Sequence, residues 1–117
     1  MNENKTISLK EPIFITFYGD TISHKYTSLV LLTYPYPENS NDRGMVLLPE
    51  IESEDEITVS VNLCRHLPKN KIVINVNENL INNQVLPELI KQKIISAEPD
   101  FSIPSGFVEF PVYTILI

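Results

Sequence analysis

A chain of 117 residues, 43% hydrophobic and 21% charged, has the composition of one globular domain, residues 1–117, large enough to bury about two thirds of its unfolded surface. A formal charge of −6, with nine scattered Lys and Arg, argues against a nucleic-acid partner, whose phosphates demand a basic patch. Cys64 is the only cysteine, which excludes an intrachain disulfide and a cysteine-based zinc cluster and fits a reducing, cytoplasmic compartment. No apolar run approaches the roughly 20 residues of a membrane helix, and "MNENKTISLK" is no signal peptide, so no membrane is expected.

In chain order, "PIFITFY" (Pro12–Tyr18) is rich in β-branched and aromatic residues and stops at Gly19-Asp20, which has turn chemistry. "YTSLVLLTY" (Tyr26–Tyr34) predicts a second strand, ended by the loop "PYPENSNDRG". "MVLLPEIESEDE" reads as a lead-in to "ITVSVNL", where Ile57, Val59, Val61 and Leu63 alternate with polar residues, the plainest strand signal in the chain. "LPKN" turns the chain into "KIVINV", and so short a connection predicts an antiparallel hairpin.

The period then changes. Leu86, Leu89, Ile90 and Ile94 fall at helical spacing and predict a short helix from Gln84 to Lys93, with Asn83 as its cap and Pro87 in its first turn. "SAEPDFSIPSG" reads as a proline-broken connection, followed by a closing strand from Phe107 to Ile117. Both faces of that strand are apolar, so both should be covered, although Pro111 would suit an edge that accepts a partner strand. These elements make an α+β domain: a largely antiparallel sheet of about five strands with one short helix packed on it.

Few residues offer chemistry. Cys64 and His66 stand two apart, as a nucleophile and base or half a metal site would, but the only other histidine is His24 in a distant segment, and a buried structural cysteine is the better account of Cys64. The acidic run Glu50, Glu52, Glu54, Asp55 and Glu56 lacks the spacing of a calcium loop; it is either a solvated loop or a surface for a basic protein. Tyr26, Tyr34 and Tyr36, with Pro35 and Pro37, form an aromatic cluster that would either anchor an interface or pack over the sheet edge. With three glycines, no phosphate-binding loop, no nucleophile elbow and no paired histidines, neither an enzyme nor a cofactor is indicated.

The second half, residues 57–115, carries "ITVSVNL", "HLP", "KIVINV", "NENL", "LPELIKQKII" and "SGFVEFPVYTI" in order. This succession resembles an uncharacterised family of small bacterial domains carried on plasmids, phages and conjugative elements. It departs from the family where Pro-Gly is replaced by Cys64-Arg65 and Thr-Gly-Arg by "AEPDFSIP". The resemblance implies an accessory protein of a mobile element and brings no catalytic residues with it.

The expectation is therefore a non-enzymatic acidic domain that binds a host or element protein, with Tyr34, Tyr36, Glu52, Glu54, Asp55 and Glu56 as partner-binding residues. Two rivals remain: a small-molecule or enzymatic site formed between subunits around Cys64, His66 and His24, and a structural subunit or homodimer joined through the C-terminal strand.

Overall fold

The computed structural model describes residues 5–33, 43–63, 67–68 and 70–117. Strands β1 (Lys5–Ile15), β2 (His24–Thr33) and β3 (Arg43–Pro49) form an antiparallel meander, with the short β4 (Ile57–Thr58) added to β3. Strands β5 (Lys71–Val73), β7 (Val108–Thr114) and β6 (Phe101–Ser105) form a second antiparallel part in that spatial order. The two parts meet through one parallel pair, Arg43 with Ile72.

The α+β class and mostly antiparallel pairing thus match the sequence reading, but the sheet has seven named strands and falls into two parts. One strand missed is β3, whose consecutive apolar residues do not alternate because Met45 and Leu47 are fully buried while Val46 and Leu48 are half-buried on the other side. The other is β6, hidden by Pro104. A proline is tolerated there because β6 is the last strand of the sheet.

The alternating segment keeps Ile57 and Val59 inward and Thr58 exposed, but Ser60, expected to face solvent, is buried, and the partner changes there. Ile57 and Val59 are buried in the main core, whereas Val61 and Leu63 pack on a second cluster of Leu67, Val73, Ile103, Phe110 and Val112. The change centres on Ser60. Its hydroxyl accepts the Met45 N–H at 2.9 Å, while its main chain bridges antiparallel to Ile74. Asn75 donates to the Val59 carbonyl at 2.9 Å and Val61 to Val73 at 3.0 Å, so the predicted hairpin pairing exists around that bridge.

The helical segment begins earlier than Gln84. A π-helical turn, Ile81–Val85, runs into α1 (Leu86–Lys91) because Ile81 and Val85 extend the buried stripe of Leu86 and Leu89 toward the N-terminus. Asn83 lies inside that turn and does not cap it; Pro87 does fall in the first turn of α1. Past the end of α1, Ile94 donates to the Leu89 carbonyl at 2.9 Å and Lys93 to Ile90 at 3.0 Å, a Schellman closure that puts Lys93 at φ 58°.

Two glutamines fasten this segment to the edge strand. Gln84 donates to the Thr16 carbonyl at 2.9 Å and accepts the Thr16 N–H at 2.8 Å, and Gln92 pairs in the same way with Glu11. Eight residues of α-helix make about 2.2 turns. The wider π turn brings that step closer to two whole turns, which suits one carboxamide meeting β1 at Glu11 and the other meeting Thr16, one residue past its end.

Strand β7 is covered on both faces in its middle, with Tyr113 in the main core and Phe110 and Val112 in the second cluster. Phe107, Leu116 and Ile117 are exposed. Pro111 does not mark a sheet edge, since β7 lies between β5 and β6. Its carbonyl accepts from Ile74 at 3.2 Å, on the β5 side, and the β5–β7 ladder ends at Val112. The missing N–H lies on that same side, where the Ile74 carbonyl accepts from Val76 at 2.9 Å instead.

Candidate functional site

The most organised polar group of the described residues lies where the β1–β2 turn meets the acidic segment. The turn closes with Asp20 donating its N–H to the Phe17 carbonyl at 2.9 Å, and Gly19 at φ 86° occupies the position that requires a positive φ. This aims the Asp20 carboxylate at His24, the first residue of β2 and four positions on.

Three consecutive β2 residues then take hold of the acidic segment. The His24 ring binds the Glu54 carboxylate, the Lys25 carbonyl accepts the Glu50 N–H at 2.9 Å while its ammonium pairs with the Glu50 carboxylate at 3.1 Å, and the Tyr26 hydroxyl donates to the Asp55 carbonyl at 2.8 Å. The segment itself is nipped by a turn in which Glu54 donates to the Ile51 carbonyl at 3.0 Å. Burial of Tyr26, followed by the Glu54 and Asp55 charges, raises its phenol above the ordinary value.

His24 is bonded at both ring nitrogens. Nδ1 faces Glu54 Oε2, and Nε2 lies 3.1 Å from Asp20 Oδ2. Ionised carboxylates only accept, so satisfying both requires two N–H groups, which only the imidazolium has. The hydrogen bonds to Glu54 and then Asp20 accordingly raise its pKa above 6.5, against a smaller opposing effect of burial. The Phe17 ring packs against it at a centroid distance of 5.1 Å and an interplanar angle of 63°.

Three open concavities surround this group, of about 430, 470 and 500 Å³, and residues from Glu50 to Glu56 line each of them. Glu52, Asp55 and Glu56 are exposed, while Glu54 is half-buried and drawn inward by His24. Tyr18, Ile22 and Ile51, on the same two segments, expose large apolar side chains. With both nitrogens engaged by carboxylates, His24 is not placed to relay a proton to a nucleophile. Among the described residues no three His, Cys, Asp or Glu side chains are set to share a metal ion, and no helix is long and apolar enough to cross a membrane.

Of the residues singled out by sequence, the structure brings Tyr26, His24 and the acidic run together. Tyr34, Tyr36, Cys64 and His66 lie outside the described residues. The sequence offers His24 only as a histidine distant from His66, and the Asp20–His24 spacing beside a Gly-Asp turn is the one local signal of its role. Its pairing with Glu54 is tertiary. Comparison of the chain with protein-family models, curated proteins and solved structures gives no match.

Proposed function

We propose that this protein is a non-enzymatic binding domain that engages a basic protein partner through the acidic segment and the adjoining β1–β2 turn. The observation that carries the reading is the joint display of Glu52, Asp55 and Glu56 with exposed Tyr18, Ile22 and Ile51. Apolar anchors ringed by one sign of charge suit a cationic, partly apolar segment, with the charge steering encounter and the side chains supplying contact. Resemblance of residues 57–115 to the mobile-element family supports a cytoplasmic accessory role on a phage or plasmid, acting on a host or element protein.

The test is crosslinking in native-host lysate followed by mass spectrometry, comparing the wild type with a variant in which Glu52, Glu54, Asp55 and Glu56 are changed to Lys. A stoichiometric basic partner captured only by the wild type supports the reading; equal capture by both proteins removes this surface from it. A homodimer through residues 115–117 is a second reading, supported by exposed Leu116 and Ile117. Light scattering that shows only monomer at all concentrations would exclude it.

A further inference from the structure

His24 stands between two carboxylates that belong to different parts of the fold. Asp20 is in the β1–β2 turn, and Glu54 is in the segment between β3 and β4. The ring is therefore a cross-link whose valence depends on one proton. As imidazolium it donates to both acids; once it releases that proton to water, it keeps one N–H and turns a lone pair toward the other acid. A lone pair facing a carboxylate oxygen is repulsive, so one of the two bonds must open.

The remaining neighbours fix what the opening does. Asp55 lines the same concavity, the Lys25–Glu50 pair sits beside His24 on β2, and Thr16 and Ser23 hydroxyls meet at 3.0 Å behind the turn. Lys25 is paired with Glu50, and among the described residues no lysine or arginine lines that concavity. The Lys25–Glu50 and Tyr26–Asp55 links do not involve the imidazole, so they hold the backbone of the segment independently of it. The change is confined to the ring's bonds with Glu54 and Asp20 and to the local charge.

We propose that His24 is a proton-operated latch which, when charged, holds and neutralises Glu54 against the β1–β2 turn and, when neutral, releases it to the acidic surface. The site then gains one unit of negative charge and one mobile carboxylate as pH rises. Its effect on a partner rests on the binding reading above; the latch itself does not.

The experiment is an NMR pH titration of the isotopically labelled full chain, upward from about pH 5, following the His24 ring and the Glu54 Cδ. The expected result is a His24 midpoint above 6.5, a Glu54 step at the same midpoint, and a lower midpoint in both D20N and E54Q. A midpoint at or below 6.5, or a Glu54 signal indifferent to the His24 proton, would overturn the latch. The wild-type titration alone decides between these outcomes even if a variant misfolds.

A parallel titration with an octalysine peptide separates the two ideas. Affinity that increases several-fold across the His24 midpoint in the wild type, and not in H24Q, supports regulation of the surface. Absence of octalysine binding at every pH beside an intact His24–Glu54 step overturns the binding reading and leaves the latch standing.

Discussion

The carboxamide of Gln92 addresses the main chain of Glu11 with both polar atoms, Nε2 donating to the carbonyl at 2.9 Å and Oε1 accepting the N–H at 3.4 Å. Glu11 lies in the irregularity between Ser8 and Ile13, where β1 loses register with β2, so its main-chain groups have no partner in that ladder. The glutamine replaces the missing strand.

Gln92 is only 7% exposed, so truncation leaves polar main chain poorly hydrated. Gln92→Ala should cost about 2 kcal/mol, within the range for orphaned buried groups. The matching Gln84→Ala, at a half-buried residue whose hydrogen bonds are themselves exposed, should cost under about 1 kcal/mol. Urea denaturation of both variants checks the order; equal losses would refute the role of burial.

Lys93 takes the left-handed position of the Schellman closure without being glycine. Left-handed backbone costs an ordinary residue about 1–2 kcal/mol, and glycine's extra unfolded-state freedom returns about half of that. Lys93→Gly should therefore stabilise by about 0.5–1 kcal/mol, read as a rise in the thermal midpoint. A loss of stability would mean that the lysine side chain contributes more than the strain.

Acid and base should weaken the fold through different groups. Hydrogen bonds from Lys71 and then Thr114 lower the Asp100 pKa below 3.8, so its contribution is present above that value and is lost as pH falls through the folded-state value. His24 is raised above 6.5, so its contribution is complete below that value and is lost as pH rises through the folded-state value. In urea midpoints measured against pH, Asp100→Asn should flatten the acid limb and H24Q the limb above 6.5. If either variant leaves both limbs unchanged, its ion pair has no part in stability.

At the tip of the β6–β7 hairpin, Gly106 has φ 63° and open space around it, while Phe107 beside it is fully exposed. Gly106→Ala should cost about 1 kcal/mol from backbone strain alone, whereas Phe107→Ser should stay within about 0.5 kcal/mol of the wild type. A large loss from the serine variant would reveal a contact made by the phenylalanine.

Local chemistry was legible where one stretch of chain determines the outcome. Gly19-Asp20 formed its turn, Ile57 and Val59 turned inward as their alternation required, and Leu86 and Leu89 formed a buried helical stripe. What escaped depended on partners distant in sequence. Pro104 concealed a strand because nothing nearby says that β6 is terminal, and Asn83 looked like a cap because nothing nearby says that Ile81 is already buried. The site was half legible: the acidic run stood out, but its three anchors on β2 lie about 25–30 residues before it.

The change of partner at Ser60 also bears on cooperativity. One continuous strip of chain, Ile57 to Val61, is bonded to β3 at its beginning and to residues at the end of β5 beyond its middle, and the two sheet parts share little other main-chain pairing. Melting either part strips bonds from the strip and so loosens the other, which makes the strip, beside the main core that Ile72 and Tyr113 share with β1–β3, a mechanical joint through which both share one transition. Calorimetric and van't Hoff enthalpies should accordingly agree in the wild type, and Ser60→Ala, by freeing the Met45 N–H, should be the substitution that pulls them apart.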